Sequence, residues 1–196
     1  VVANADEGDA GAYIDRYIME DDPHALIEGM ILAAYAVGAS QGYIYVRIEY
    51  PQAFSVLQAA LLEARAAGWL GARIGGKDFT VNLEVYVGHG SYVCGEETSL
   101  LRSIEGQRPE VMARPPYPTE RGLFGRPTLL NNVETLVSVP WIVTHGGAAY
   151  AALGFSKSRG TKALSLNSLF NCPGLYEVEF GVTIRHIVEV IGGGLR

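Results

Sequence analysis

Cysteine is scarce in this 196-residue chain, which has two, Cys94 and Cys172. Two thiols are too few for a disulfide framework or for a four-thiolate iron–sulfur or zinc site held by this chain alone. A basic surplus is also missing: 15 Lys and Arg stand against 21 Asp and Glu, a net charge of −6. That balance argues against nucleic acid or an anionic membrane as the main partner. No apolar run reaches the roughly 18 residues of a membrane span, and no basic, apolar, small-residue leader opens the chain. The expected compartment is the cytoplasm, with no direct membrane insertion. The four histidines, His24, His89, His145 and His186, are scattered, which leaves a histidine metal site weakly supported. There is no GxGxxG or P-loop pattern, no internal repeat and no low-complexity segment. Against these absences, 48% of the residues are apolar and 18% charged. That is enough for a real core in one domain plus part of another. The chain opens on Val1, in an apolar run and without methionine, and so reads as a piece of something longer.

The 24 glycines cluster between periodic segments and punctuate an alternation of strands and helices. Val1 to Ala5 reads as a strand running into the acidic loop Asp6, Glu7, Gly8, Asp9, Ala10, Gly11. Asp22 and Pro23 supply an N-cap and a first helical proline, followed by Leu26, Ile27, Met30, Ile31, Ala34 and Val37 at helical spacing. A strand is expected over Tyr43 to Tyr50, a helix from Pro51 to near Gly68, and a strand over Val81 to Val87 with one buried face. Strand, helix, strand in succession implies parallel crossovers and an α/β layer structure. A short helix over about Glu96 to Glu105 precedes a proline-rich irregular stretch, Gly106 to about Thr128, whose length suits a loop lining a ligand cleft. A helix from Asn132 to about His145 follows. Beyond Lys162 a hairpin, Leu164 to Phe180, leads to a helix capped by Thr183, the start of a small α+β unit.

Three loops are placed where open parallel sheets bind ligands. Asp6, Glu7 and Asp9 can hold a metal, act as acid and base, or accept hydrogen bonds from ribose or flavin groups; they equally suit a solvated turn. In the second loop, Gly88, Gly90 and Gly95 allow close backbone approach, whereas Glu96 and Glu97 have a bland role as acids in a first helical turn. Cys94 reads as a small buried hydrophobe. In the third, Asn131 and Asn132 with Glu134 and Thr135 form either a helix cap or a reader of a heterocycle edge. Pattern alone does not choose.

Four motifs in order, NADEGDAG (Asn4 to Gly11), YVCGEETSL (Tyr92 to Leu100), RPPYP (Arg114 to Pro118) and GRPTLLNNVETL (Gly125 to Leu136), with GYIYVRIEYP (Gly42 to Pro51) between them, resemble the flavin-bearing NADH-oxidising subunit family. That family includes the flavoprotein subunit of respiratory complex I and the diaphorase subunits of NAD-linked formate dehydrogenases and hydrogenases. The resemblance implies a Rossmann-like parallel sheet with helices on both faces, the FMN- and NADH-binding domain, over 1–150. It further implies a linker over 151–161 and the start of a ubiquitin-like β-grasp domain over 162–196. It implies FMN and NAD(H) as cofactors, hydride transfer between them, and single electrons leaving to iron–sulfur partner subunits of a multi-subunit complex. A 4Fe–4S cluster would have its ligands beyond Arg196, and the loop for the flavin phosphate would precede Asn4.

By the same resemblance, Asn4, Asp6, Glu7 and Gly8 line the isoalloxazine and ribityl chain together with Gly95, Glu96, Asn131, Asn132 and Thr135. Glu97 is implied near the adenine ribose, where a carboxylate accepts from the 2′-hydroxyl and repels a 2′-phosphate, favouring NADH over NADPH. Arg114 and Tyr117 stand where Lys and Phe are common, beside the nucleotide. Asp9 replaces a common Glu toward the nicotinamide, and Ala10 a common Pro. No general base is assigned, because the cofactor carries the chemistry. The expected function is part of an NADH dehydrogenase flavoprotein subunit, the piece alone being inactive, with the motifs leaning toward formate dehydrogenase or hydrogenase and a place peripheral to the cytoplasmic face of a membrane complex allowed. The alternative is a non-catalytic docking or scaffold module on the same fold.

Overall fold

Val2, Ala3 and Ala5 are fully buried on the short strand β1 (Val2–Ala5), and this strand organises the main body of the protein. In the computed structural model, which describes residues 1–196, β1 pairs in parallel with β2 (Gln41–Val46) and with β4 (Leu130–Asn132), and β2 pairs in parallel with β3 (Asn82–Val87). The sheet order is β3-β2-β1-β4. Because both faces are covered, its strands are rich in β-branched, aromatic and small apolar residues. On one face Ala3, Ala5, Ile44, Val46 and Leu83 join Leu26 and Met30 of α2 (Pro23–Val37), Leu57 and Leu61 of α3 (Pro51–Ala66) and Leu136 of α6 (Val133–His145). On the other, Val2 and Tyr45 join Leu100, Leu101 and Ile104 of α4 (Glu97–Ile104), with Cys94 and Leu123. This is the α/β parallel architecture expected from the sequence. Cys94 is the buried small hydrophobe anticipated.

Local signals place the helices. Asp22 accepts from the Ala25 amide at 3.2 Å, Pro23 takes the first helical position, and Gly38 ends α2 with a φ of 71°. Three elements differ from the sequence reading. β2 ends at Val46, four residues before the expected end at Tyr50, because the chain turns there: the Tyr50 amide donates to the Arg47 carbonyl at 3.1 Å. The helix α1 (Ile14–Asp21) was not anticipated, and its Asp15 and Arg16 amides donate to Glu7; the three-residue β4 is too short for a readable period and is held by its pairing with β1. Within the irregular stretch a single turn, α5 (Pro118–Arg121), forms. No helix is long and apolar enough to cross a membrane.

The chain divides into two compact units, residues 1–8 with 15–140 and residues 9–14 with 141–196. In the second, Trp141 stacks on His145 at 4.3 Å. The residues read as a linker, 151–161, carry the end of α7 (Gly147–Ala152) and the short hairpin of β5 (Gly154–Phe155) and β6 (Ser158–Arg159). β7 (Thr161–Leu166) and β8 (Gly174–Glu179) pair antiparallel, Thr161 opposite Glu179 and Leu166 opposite Gly174. Thr183 then accepts from the His186 amide at 3.1 Å to start α8 (Ile184–His186), which continues as a wider turn over Ile187–Ile191.

Candidate functional site

All four strands of the sheet point the same way, so their C-terminal ends deliver the loops after β1, β2 and β3 and the start of α6 to one edge. Asn4 ties two of them together. Its Oδ1 accepts from the Asp6 amide at 3.0 Å, and its Nδ2 donates to the Gly95 carbonyl at 3.0 Å, 91 residues away. Asp6 is thereby held beside Gly95 with its Oδ2 buried and without a hydrogen-bond donor. Burial pushes its carboxyl up to about 6; Arg47 opposes that rise and Glu49 adds to it. Such an acceptor, half desolvated and unsatisfied, is costly unless something donates to it.

Glu7 is differently occupied. Its carboxylate accepts from the Asp15 and Arg16 amides at 3.1 and 3.2 Å, at the N-terminus of α1, and from the Tyr50 hydroxyl at 3.2 Å. Gly8 lies against the ring of Tyr92. Asp9 belongs to the second unit, where its Oδ1 accepts from the Gly11 amide at 2.9 Å.

The two carboxylate oxygens of Glu96 are in different settings. One oxygen, Oε2, caps α4 by accepting from the amides of Thr98 and Ser99 at 2.9 and 3.1 Å and from the Thr98 hydroxyl. The other, Oε1, is buried with no hydrogen bond, 3.9 Å from an Arg114 nitrogen. Glu97 pairs closely with Arg114, which therefore faces two adjacent carboxylates. Asn131 sits half-buried opposite Ala3 in the sheet. Asn132 is engaged within the protein: its Nδ2 donates to Asp15 Oδ2 at 2.7 Å, and its Oδ1 accepts from the Glu134 amide at 2.9 Å. Thr135 is exposed on the first turn of α6. Tyr117 caps α5, its amide donating to Glu120 at 3.0 Å, with its ring half-exposed and no bond to the other residues named.

Sequence reasoning missed Arg47, Glu49, Tyr50 and Asp15. Arg47 and Glu49 read as one face of a strand; the available signal was their place immediately after a strand that neighbours β1.

A parallel α/β sheet whose C-terminal edge gathers unsatisfied acceptors beside a glycine is a ligand-binding domain of the doubly wound class. The chain belongs to the Complex1_51K family, described as the Nuo51 FMN-binding domain, whose family model matches residues 1–141. Over 193 residues it is 43% identical to the F subunit of the NADH-quinone oxidoreductase of Aquifex aeolicus, covering 98% of this chain and 45% of that protein. It is 42% identical to the NADP-reducing hydrogenase subunit HndC of Solidesulfovibrio fructosivorans, covering 99% of this chain and 39% of that one. A crystal structure of an NAD+-reducing NiFe hydrogenase in the H2-reduced state superposes with a TM-score of 0.89 at 40% identity, covering 99% of this chain and 32% of that chain. The chain thus spans less than half the length of these relatives.

Proposed function

We propose that this chain supplies the flavin- and NAD(H)-facing part of an NADH dehydrogenase flavoprotein subunit, within a multi-subunit oxidoreductase of the complex I, hydrogenase or formate dehydrogenase kind. The observation that carries the reading is the pair of buried, donor-less carboxylate oxygens, Asp6 Oδ2 and Glu96 Oε1, at the sheet's C-terminal edge. A flavin mononucleotide offers what they lack, a polyhydroxyl chain and a heterocycle N–H, so the residues present fit the group. Asp6 and Glu96 would accept from it, Gly95 would let it approach, and Asn4 would hold the Asp6 and Gly95 loops at a fixed spacing. Bound FMN would link two-electron hydride exchange with NAD(H) to delivery of single electrons to iron–sulfur partners. The protein's own contribution is placement and charge, and no side chain need act as general acid or base. In the second unit, the β7–β8 hairpin followed by α8 is proposed as the opening of a β-grasp domain.

The test is performed on the full-length protein: flavin absorbance after purification, FMN affinity of the deflavinated protein, and NADH–ferricyanide activity. Stoichiometric flavin and NADH-dependent reduction are expected; a full-length protein with neither overturns the reading.

Glu97 and Arg114 carry the nucleotide preference in this proposal. Paired as they are, the carboxylate repels a 2′-phosphate and neutralises the guanidinium that would otherwise attract one. Glu97→Gln should lower the NADH over NADPH ratio of kcat/KM by roughly tenfold and leave flavin content unchanged. An unaltered ratio would remove Glu97 from that role.

A further inference from the structure

The connection between β2 and α3 reaches under the Asp6 to Gly8 turn, and nothing in the flavin reading uses it. Arg47 is its centre. Its Nε and Nη2 meet the two carboxylate oxygens of Glu49 at 3.1 and 3.0 Å, a two-point pairing that fixes the plane of the guanidinium. Its remaining nitrogen, Nη1, donates to the main-chain carbonyl of Glu7 across 40 residues of sequence. The arginine side chain is only 19% exposed. Three residues on, the Tyr50 hydroxyl donates to Glu7 Oε2 at 3.2 Å, and two guanidiniums lie over its ring, Arg16 at 5.6 Å and Arg47 at 5.4 Å from its centroid. Burial and the neighbouring Glu7 push the Tyr50 hydroxyl up to about 12, which keeps it a donor.

We propose that Arg47 is a positioning residue for the candidate site: oriented by Glu49, its guanidinium grips the Glu7 carbonyl and holds the Asp6–Gly8 turn, with its buried carboxylate, at the edge where flavin binds. A lysine cannot reproduce this, because one ammonium cannot both pair at two points with Glu49 and reach the carbonyl in a fixed direction. The clamp also carries charge to Asp6. The groups that bear on Asp6 are Arg47 and Glu49 from this connection and the Tyr45 hydroxyl from β2; Arg47 lowers its titration, Glu49 raises it, and Tyr45 is neutral at working pH. Arg47 thereby holds the turn that carries the Asp6 carboxylate and, against the larger effect of burial, widens the pH range over which that group is an acceptor.

The consequence for flavin rests on the proposed function, whereas the effect on Asp6 does not. Two measurements on deflavinated full-length protein separate them: FMN affinity by fluorescence quenching, and titration of the Asp6 carboxyl by infrared difference spectroscopy, assigned through its loss in Asp6→Asn. In Arg47→Met, FMN affinity should fall about tenfold, and Asp6 should titrate at higher pH than in the wild type. Arg47→Lys, which keeps the charge but not the fork, should restore most of the titration and only part of the affinity. Glu49→Gln should move the titration down, a sign that unfolding cannot mimic. Wild-type affinity in Arg47→Met, or an Asp6 titration unmoved in both Arg47→Met and Glu49→Gln, overturns the proposal. A wild-type protein with no affinity for FMN sinks the flavin reading instead, and the titration then decides the clamp alone.

Discussion

Asp6→Asn is expected to make the ligand-free protein more stable at neutral pH and at the same time a poorer flavin binder. The two effects have one cause. The Asp6 carboxyl is pushed up to about 6, chiefly by burial, from an ordinary 3.8. The folded protein therefore holds a proton there that the unfolded chain has already released. Between about pH 4 and 6 the native state binds more protons than the unfolded state, and stability falls as pH rises through that window, levelling off above it. An amide escapes the loss. The stability of Asp6→Asn relative to wild type should be near zero at pH 4 and about 1 kcal/mol above pH 6, discounted for the partial exposure of the group. Denaturant midpoints of the two proteins across pH 4 to 8 measure it. In the same variant FMN affinity should fall about tenfold, since a charged acceptor is replaced by a weaker one. A carboxylate kept at a cost in folding stability is what a binding site requires and a passive turn does not. Equal pH profiles for the two proteins would mean that the Asp6 carboxyl is solvated like any surface acid; undiminished flavin affinity would remove Asp6 from the site.

The second large effect concerns the scaffold behind the site. Pro140 lies inside α6 and brings no N–H to the carbonyl four residues before it, that of Leu136. Gly29 of α2 packs directly against this carbonyl: a Cβ built on Gly29 would stand 2.1 Å from the Leu136 oxygen. Both partners are main chain, so neither can swing aside as a side-chain tip would. Gly29→Ala should cost about 3 kcal/mol or more, because α2 must move off α6 and open the core between Met30 and Leu136. Gly38→Ala provides the scale. Gly38 has open space around it but a φ of 71°, so alanine there should cost about 1 kcal/mol from backbone strain alone. Urea midpoints of the two variants should differ in that order. If Gly29→Ala costs no more than Gly38→Ala, the helices are not in the close approach described.

Elements longer than five residues with a regular apolar period were legible: α2 from its Asp22 and Pro23 start, α3 from Pro51, the strand ending at Val87, and the β7–β8 hairpin. Each carries its own periodicity and its own stop signals, which are properties of neighbours in sequence. β4 carries neither. Its three residues become a strand only because β1 lies beside them, the Val2 amide donating to the Leu129 carbonyl at 2.7 Å. α1 is likewise held by the Glu7 carboxylate on its first amides.

Within the candidate site the division follows the same line. Residue type and strand-end position were enough to single out Asp6, Glu7 and Gly95, since polar residues and glycine in the loops after strands are what an open parallel sheet offers a ligand, whereas Asn4, inside β1, and a ligand-facing role for Glu96 came only from the family resemblance. The roles within that group were not readable. Asp6 and Glu7 are adjacent acids of similar chemistry, yet one is left unsatisfied and the other is fully engaged by two amides and Tyr50. Asn132 looked as available as Asn131 until Asp15, 117 residues distant, took its amide.

The sequence by itself thus determined that this protein has few cysteines, an acid surplus, an α/β alternation and a set of polar loops at strand ends, because composition and period are local quantities. Only the tertiary structure decided which of those polar groups are satisfied and which still lack a donor. Hydrogen bonds such as Asn4 to Gly95 and Arg47 to Glu7 close over 40 to 91 residues of chain, and satisfaction of a buried acceptor is a property of everything that folds around it.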